Sequence, residues 1–248
     1  MDQLTKQDIN FVVSRIPTDV RTLMKSYPSL MIGGGFVRGT VAREKISDID
    51  IFGPDEQTLK LAAQDIALKR KGRIYETKNA LTVLAPPRLP LQFIKRWTYN
   101  TPSALIESFD YTVCQAAISI AVATPPLELA NTEASSSVTW YGHCSPMFYP
   151  DLAARRLNYT CPVRNEDAGG SMLRMRKFIE RGYTIQAGSM ARVIARLVVG
   201  IDFNKLSKMA SGNEQKIAEM ITNLLREVDP LRMIDGLELV DEHEVEGA

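Results

Sequence analysis

Met31-Ile32-Gly33-Gly34-Gly35-Phe36-Val37-Arg38, followed by Ser47-Asp48-Ile49-Asp50-Ile51-Phe52, is the stretch on which the fold turns. Met31 and Ile32 read as the end of a buried strand. Three glycines break it, and the chain resumes with helical character, carrying Arg38 about one turn in. Ser47–Phe52 alternates polar and apolar residues, which predicts a second strand. On a strand, residues two apart point the same way, so Asp48 and Asp50 share a face while Ile49 and Ile51 enter the core. Neighbouring carboxylates repel. A hard divalent cation relieves that repulsion, because Mg²⁺ takes oxygen ligands and bridges to substrate phosphates. Glycines let a backbone approach a phosphate closely, a helix N-terminus presents N–H groups to anions, and Arg38 can add a charge-assisted fork. Each feature alone has a plainer reading: a solvated strand face for the aspartates, a tight turn for the glycines. Together, in this order, they point to a phosphate-and-metal site.

Upstream, residues 3–26 have helical spacing in Phe11, Val12, Ile16, Val20 and Leu23, with Pro17 allowing two short helices or one kinked one. Downstream, 56–70 reads as a helix, 80–85 and 89–97 as strands around a proline-bearing turn, and 102–108 as a short helix. The apolar run 109–123 fits strand or buried helix. From 126 to 150 the chain is rich in Ser, Thr and Pro and reads as a connector or small hairpin. Residues 151–230 read as helices, and the acidic end as frayed. The expected fold is α+β. An α/β head (1–125, with its N-terminal helix at 3–26) holds a small mixed β-sheet flanked by helices. The connector (126–150) leads to an all-helical domain (151–248).

The chain has 248 residues, 45% hydrophobic and 24% charged, with a net charge of +1. That balance excludes a surface built for wholesale nucleic-acid binding, so any such contact must be a local patch. Cys114, Cys144 and Cys161 are odd in number and lack a Cys-x-x-Cys pair, which argues for reduced thiols and against zinc. With no leader and no apolar run of membrane-spanning length, the expectation is a soluble cytoplasmic protein.

The stretch from Gly33 to Phe52 resembles the head-domain signature of the nucleotidyltransferase superfamily that includes DNA polymerase β, poly(A) polymerases and tRNA CCA-adding enzymes. There a Gly-Gly turn is followed by arginine and then by a strand with two aspartates. Residues 108–119 are similar to the Arg-Asp-Phe-Thr-Ile-Asn-Ala segment of poly(A) polymerases and CCA-adding enzymes, whose aspartate lies by the incoming nucleotide's ribose. Residues 171–183 resemble the basic helix after the head, and the likeness spans roughly 30–185. The resemblance implies catalytic residues Asp48, Asp50 and Asp110, with Mg²⁺ or Mn²⁺ on Asp48 and Asp50. It implies nucleotide binding by Gly33, Gly34, Gly35, Arg38, Ser47, Lys95 and Arg96, and RNA binding by Arg174, Lys177 and Arg181. Of the four basic residues Arg174, Arg176, Lys177 and Arg181 in one helix, 174, 177 and 181 share a face, which reads as a phosphate-tracking ridge or as a solvated face.

The sequence departs from that pattern in three places. Gly39 stands where the family has aspartate, Ser108 and Phe109 replace an arginine pair before Asp110, and Gln92 lies where a third metal-supporting carboxylate is often found. Either Asp110 reaches the site, or two carboxylates suffice, or activity is lost. Lys95 and Arg96 can replace the missing phosphate contacts or be merely solvated. The resemblance implies transfer of a nucleoside monophosphate from an NTP, such as ATP, to an acceptor, first of all the 3′ end of an RNA such as tRNA. A chain without the long RNA-binding tail of a CCA-adding enzyme suits a stand-alone transferase of the kind carried by bacteriophages or toxin modules. The alternatives are a transferase of the same fold acting on a protein or small molecule, and a non-catalytic nucleotide- or RNA-binding module.

Overall fold

The computed structural model describes residues 1–122, 138–162 and 168–199, together with 204, 208 and 213–216. A short strand β1 (Asp2–Gln3) leads to helix α1 (Lys6–Arg15), capped by Thr5, whose hydroxyl accepts from the Asp8 amide at 3.1 Å. Pro17 separates α1 from α2 (Thr18–Ser26), so the two-helix alternative is the one adopted. Ile16 before the proline is extended, ψ 124°, as a residue preceding proline prefers.

Strand β2 (Met31–Gly33) is wholly buried and ends where Gly34 adopts φ 64°, ψ −123°, a conformation essentially reserved for glycine. Helix α3 (Gly35–Ala42) starts there and stops at Arg43, which takes the left-handed conformation. Strand β3 (Ile49–Phe52) follows. Ile49 and Ile51 are fully buried, each contributing about 1.5–3 kcal/mol of apolar burial. Helix α4 (Glu56–Arg70) begins at Asp55, which accepts from the Thr58 amide at 2.7 Å. At its far end Arg70 forks onto Asp19 of α2, at 2.8 and 3.1 Å, and donates to the Leu89 carbonyl. Strands β4 (Arg73–Glu76), β5 (Ala80–Leu84) and β6 (Leu91–Ile94) complete a meander before helix α5 (Pro102–Glu107).

The open segment 109–123 resolves as a 3₁₀ turn at Thr112–Cys114 and then strand β7 (Ala116–Val122). Residues 138–144, read from sequence as part of a connector, form strand β8 (Val138–Cys144), paired with β7 along its whole length. The preceding serines diluted a Val-Thr-Trp-Tyr run that has strong strand propensity. Gly142 is required in β8, because a Cβ there would come within 2.6 Å of Ile9 and 2.8 Å of Leu4. His143 belongs to the same strand and shares a 2.8 Å hydrogen bond with Ser119 of β7; burial lowers its pKa. The sheet has eight strands in the order β1-β8-β7-β2-β3-β6-β5-β4, larger than the small sheet expected. Only β3 and β6 run parallel among its described pairs. The missed β4 is exposed throughout, so it carries no apolar alternation to read.

The chain divides into two compact units, the first comprising Met1–Glu107 and Cys114–Phe148, the second Ser108–Val113 and Tyr149–Ala248. The second contains α6 (Phe148–Ala153, from Tyr149 on), β9 (Arg156–Leu157), α7 (Ala168–Glu180), β10 (Thr184–Ile185) and α8 (Ala187–Val199). Expected to be all helical, it also holds a short parallel ladder between β9 and β10. Tyr111, Tyr159, Phe178 and Tyr183 form its aromatic core, with ring centroids 5.2–5.9 Å apart. Asp151, fully buried, is charge-compensated by Arg156 at 2.6 Å and accepts from Thr112. The expected connector at 126–137 and most of the last expected helix lie outside the described residues. Among the described residues no helix is long and apolar enough to cross a membrane.

Candidate functional site

Asp48 stands just before β3 and Asp50 within it; both are half-buried while Ile49 and Ile51 are buried, so the alternation read from sequence holds. β2 lies on one side of β3 and β6 on the other, which brings the glycine turn and Gln92 to the aspartates. In the parallel β3–β6 register Gln92 is the partner of Asp50. It is fully buried and donates from Nε2 to Asp48 Oδ2 at 3.0 Å. Ser47 donates to the other oxygen, Oδ1, at 2.8 Å. Asp48 is therefore oriented from both sides, by Gln92 at one carboxylate oxygen and by Ser47 at the other.

The glycine turn is built as expected. The Gly34 amide bonds to the Ala116 carbonyl at 3.1 Å, which ties the turn to β7, and Gly34 caps α3. A Cβ on Gly35 would meet nothing within 4 Å, so open space borders the first turn of α3, where backbone N–H groups lack helical partners.

Arg38 lies one turn into α3, as read, but is only 5% exposed. Its Nε is 3.4 Å from Glu44 Oε2, and its Nη1 is 3.9 Å from Cys114 Sγ. Lys95 bonds to Glu76 and lies 3.3 Å from Glu56. The Arg96 guanidinium stacks over Trp97 with its carbon 4.3 Å from the ring centroid. Tyr99 meets Phe52 edge-on, with ring centroids 6.1 Å apart. The acidic partners Glu44, Glu56 and Glu76 were missed from sequence. Glu44 had a signal, a lone carboxylate in an otherwise basic helix exit, but nothing local to Lys95 foretells Glu76 across the sheet.

In the second unit Asp110 is 5% exposed and receives Ser171 Oγ at 2.6 Å and Arg174 Nε at 2.8 Å. Arg174, expected on RNA, is thus the counter-ion of Asp110, at 2.7 Å through Nη2. Lys177 is half-buried and Arg181 exposed.

The donor set at Asp48 and Asp50 suits magnesium, which binds through one or two carboxylates and completes its shell with water and substrate phosphates. Among the described residues no group of three or more Asp, Glu, His or Cys is gathered, so a closed all-protein cage is not what this site offers.

The fold is that of nucleotidyltransferase heads. A Thermotoga maritima CCA-adding enzyme complexed with tRNA superimposes with a TM-score of 0.56 at 15% identity, covering 92% of this chain and 55% of that one. A CCA-adding enzyme with CTP gives 0.53 at 14% identity, covering 89% and 54%. A tRNA nucleotidyltransferase with a primer tRNA and an incoming ATP analogue gives 0.51 at 16%, covering 88% and 63%. The chain thus spans less than two thirds of these solved structures. No curated protein sequence matches it. A family model described as "Gabija anti-defense 2 family protein" matches residues 3–153, which take in β2, α3, β3, β6 and the whole Asp48–Asp50–Gln92 cluster. The chain belongs to the Gabija anti-defense 2 family.

Proposed function

We propose that this protein transfers a nucleoside monophosphate from a magnesium-bound NTP to an acceptor, with Asp48 and Asp50 holding the cation. The observation that carries this reading is the pair of half-buried carboxylates on one face of β3, with Asp48 fixed by Gln92 and Ser47, beside a glycine turn open at Gly35. When bound, the cation neutralises triphosphate charge and makes the attacking hydroxyl more acidic. The protein's own part is positioning. Gln92 and Ser47 hold the Asp48 carboxylate in one orientation, and Gly33–Gly35 let the phosphates approach the first-turn amides of α3.

Arg96 is assigned to the phosphates on the strength of the sequence resemblance. Arg38 and Lys95 act at one remove, Arg38 by anchoring Glu44 and Lys95 by tying β6 to Glu76 and Glu56. Asp110 is assigned to the second unit's interior, where Arg174 and Ser171 engage its carboxylate.

An RNA 3′ end is the first acceptor, supported by the likeness to tRNA-bound structures. The family description supports a second reading, in which the acceptor is a component of the defence that its name specifies. Incubation with each labelled NTP, Mg²⁺, total RNA and a proteome containing that defence tests both. Label on RNA is the expected result, and label on a protein favours the second reading. If no acceptor takes label while Mg²⁺–NTP still binds, the chain is a binding module and transfer is excluded.

A further inference from the structure

The helix α1 and the C-terminal end of α3 border a cleft of about 380 Å³. None of Asp48, Asp50, Gln92 or Gly33–Gly35 lines it. Phe11 and Arg15 reach it from α1, and Thr40, Arg43, Glu44 and Ile46 from α3 and the turn after it. The Arg15 and Arg43 guanidiniums both stand over the Phe11 ring, their carbons 5.4 and 5.8 Å from its centroid. Among the described residues no carboxylate lies within ion-pair distance of either arginine. Glu44, the acidic residue in the lining, faces Arg38 at 3.4 Å, so its charge is already compensated.

Arg43 is held in place by the backbone. It is the left-handed C-cap of α3, φ 57°, and its amide bonds to the Gly39 and Thr40 carbonyls. Both arginines line the cleft, and the positive charge they bring to it favours an anionic ligand. A second, independent observation marks the cleft. Thr40 is 3% exposed, yet its hydroxyl has no hydrogen-bond partner among the described residues. A buried hydroxyl without a partner is costly, and Thr40 is among the residues that line the cleft.

We propose that this cleft binds a small phosphorylated ligand of mononucleotide size. The phosphate would take the Arg15 and Arg43 forks and the Thr40 hydroxyl, and a planar group would lie against the apolar wall of Phe11 and Ile46. The volume falls at the lower end of small-molecule sites. This site stands apart from the reading of Asp48 and Asp50 and does not depend on it.

Calorimetric titration of the full chain with AMP in EDTA, where metal-dependent binding at the aspartates is suppressed, tests the proposal. Saturable binding is expected, weakened by about tenfold or more in Arg15→Ala/Arg43→Ala and in Thr40→Val. It should be unchanged in Asp48→Asn/Asp50→Asn, which disables the other site. Arg15 and Arg43 are exposed, so their double variant should keep the wild-type unfolding transition. Pyrophosphate binding with the same arginine dependence also supports the site. Absence of saturable binding by both AMP and pyrophosphate, or equal affinity in wild type and the arginine variant, would overturn it, as would loss confined to the aspartate variant.

Discussion

Gln92 donates across 3.0 Å to Asp48 while standing opposite Asp50 in the β3–β6 ladder. A neutral amide in that place does what a carboxylate cannot: it satisfies an aspartate oxygen without adding charge.

Gln92→Glu should therefore make stability depend on magnesium. In EDTA the third, fully buried carboxylate should cost about 1–3 kcal/mol, through a lost hydrogen bond and added repulsion. Thermal unfolding with and without Mg²⁺ checks this. The cation should raise the midpoint more in the variant than in wild type, and equal increments would remove the metal from Asp48 and Asp50.

Arg38 and Glu44 should behave as a buried pair, their side chains being 7% and 14% exposed. Arg38→Met alone should cost roughly 3 kcal/mol, because it removes the cation that faces a largely buried carboxylate. Arg38→Met/Glu44→Met should cost less than the two single changes summed, by about 1 kcal/mol or more. Denaturant unfolding of the four proteins gives the coupling. Additive losses, with NTP affinity falling in Arg38→Met whatever occupies position 44, would return Arg38 to the phosphates.

The Asp19–Arg70 fork should set part of the acid stability. Burial opposes the charge on Asp19, but the Arg70 hydrogen bond and charge, with the Val20 amide and Arg88, together hold its carboxyl below the ordinary value of 3.8. With a depressed folded value, the contribution is complete above that ordinary value and disappears as pH falls through the lowered one. In Arg70→Met burial should dominate and Asp19 should titrate higher. Carboxyl NMR titration of both proteins measures this, and an unchanged Asp19 midpoint would refute the fork's role.

Asp110→Asn should destabilise the second unit by about 1.5–3 kcal/mol, the range for a hydrogen bond to a charged group. Arg174→Met should do the same, and the double variant should be little worse than either. Unfolding curves decide it. A loss of preference for NTP over dNTP in Asp110→Asn, with stability intact, would instead place that carboxylate at the ribose.

The strand carrying Asp48 and Asp50 and the glycine turn were legible because each depends on local physics: two-residue alternation for one, a glycine-only backbone conformation for the other. Helix α4 was legible to its end residues for the same reason. Strand β8 was hidden because a serine run dominates the composition around it, and β4 because an exposed edge strand has no buried face to write into sequence. The partners of Arg38, Lys95 and Arg174 were illegible for another reason. A basic residue announces its charge, but the carboxylate that claims it is chosen by the tertiary fold. Gln92 was legible as a departure, while its bond to Asp48 was not.

Strand β8 sits second in the sheet order yet comes last of the eight strands in the chain, with Ser108–Val113 diverted into the other unit before it. During synthesis on the ribosome, β7 must therefore wait with one edge open until residues 138–144 have emerged. A nascent chain halted near residue 125 would hold every residue of the aspartate cluster and still present the apolar strand Ala116–Val122 as an unpaired edge, a template for aggregation. Expression fragments cut at that point should collect in the insoluble fraction, and those extended past Cys144 should not.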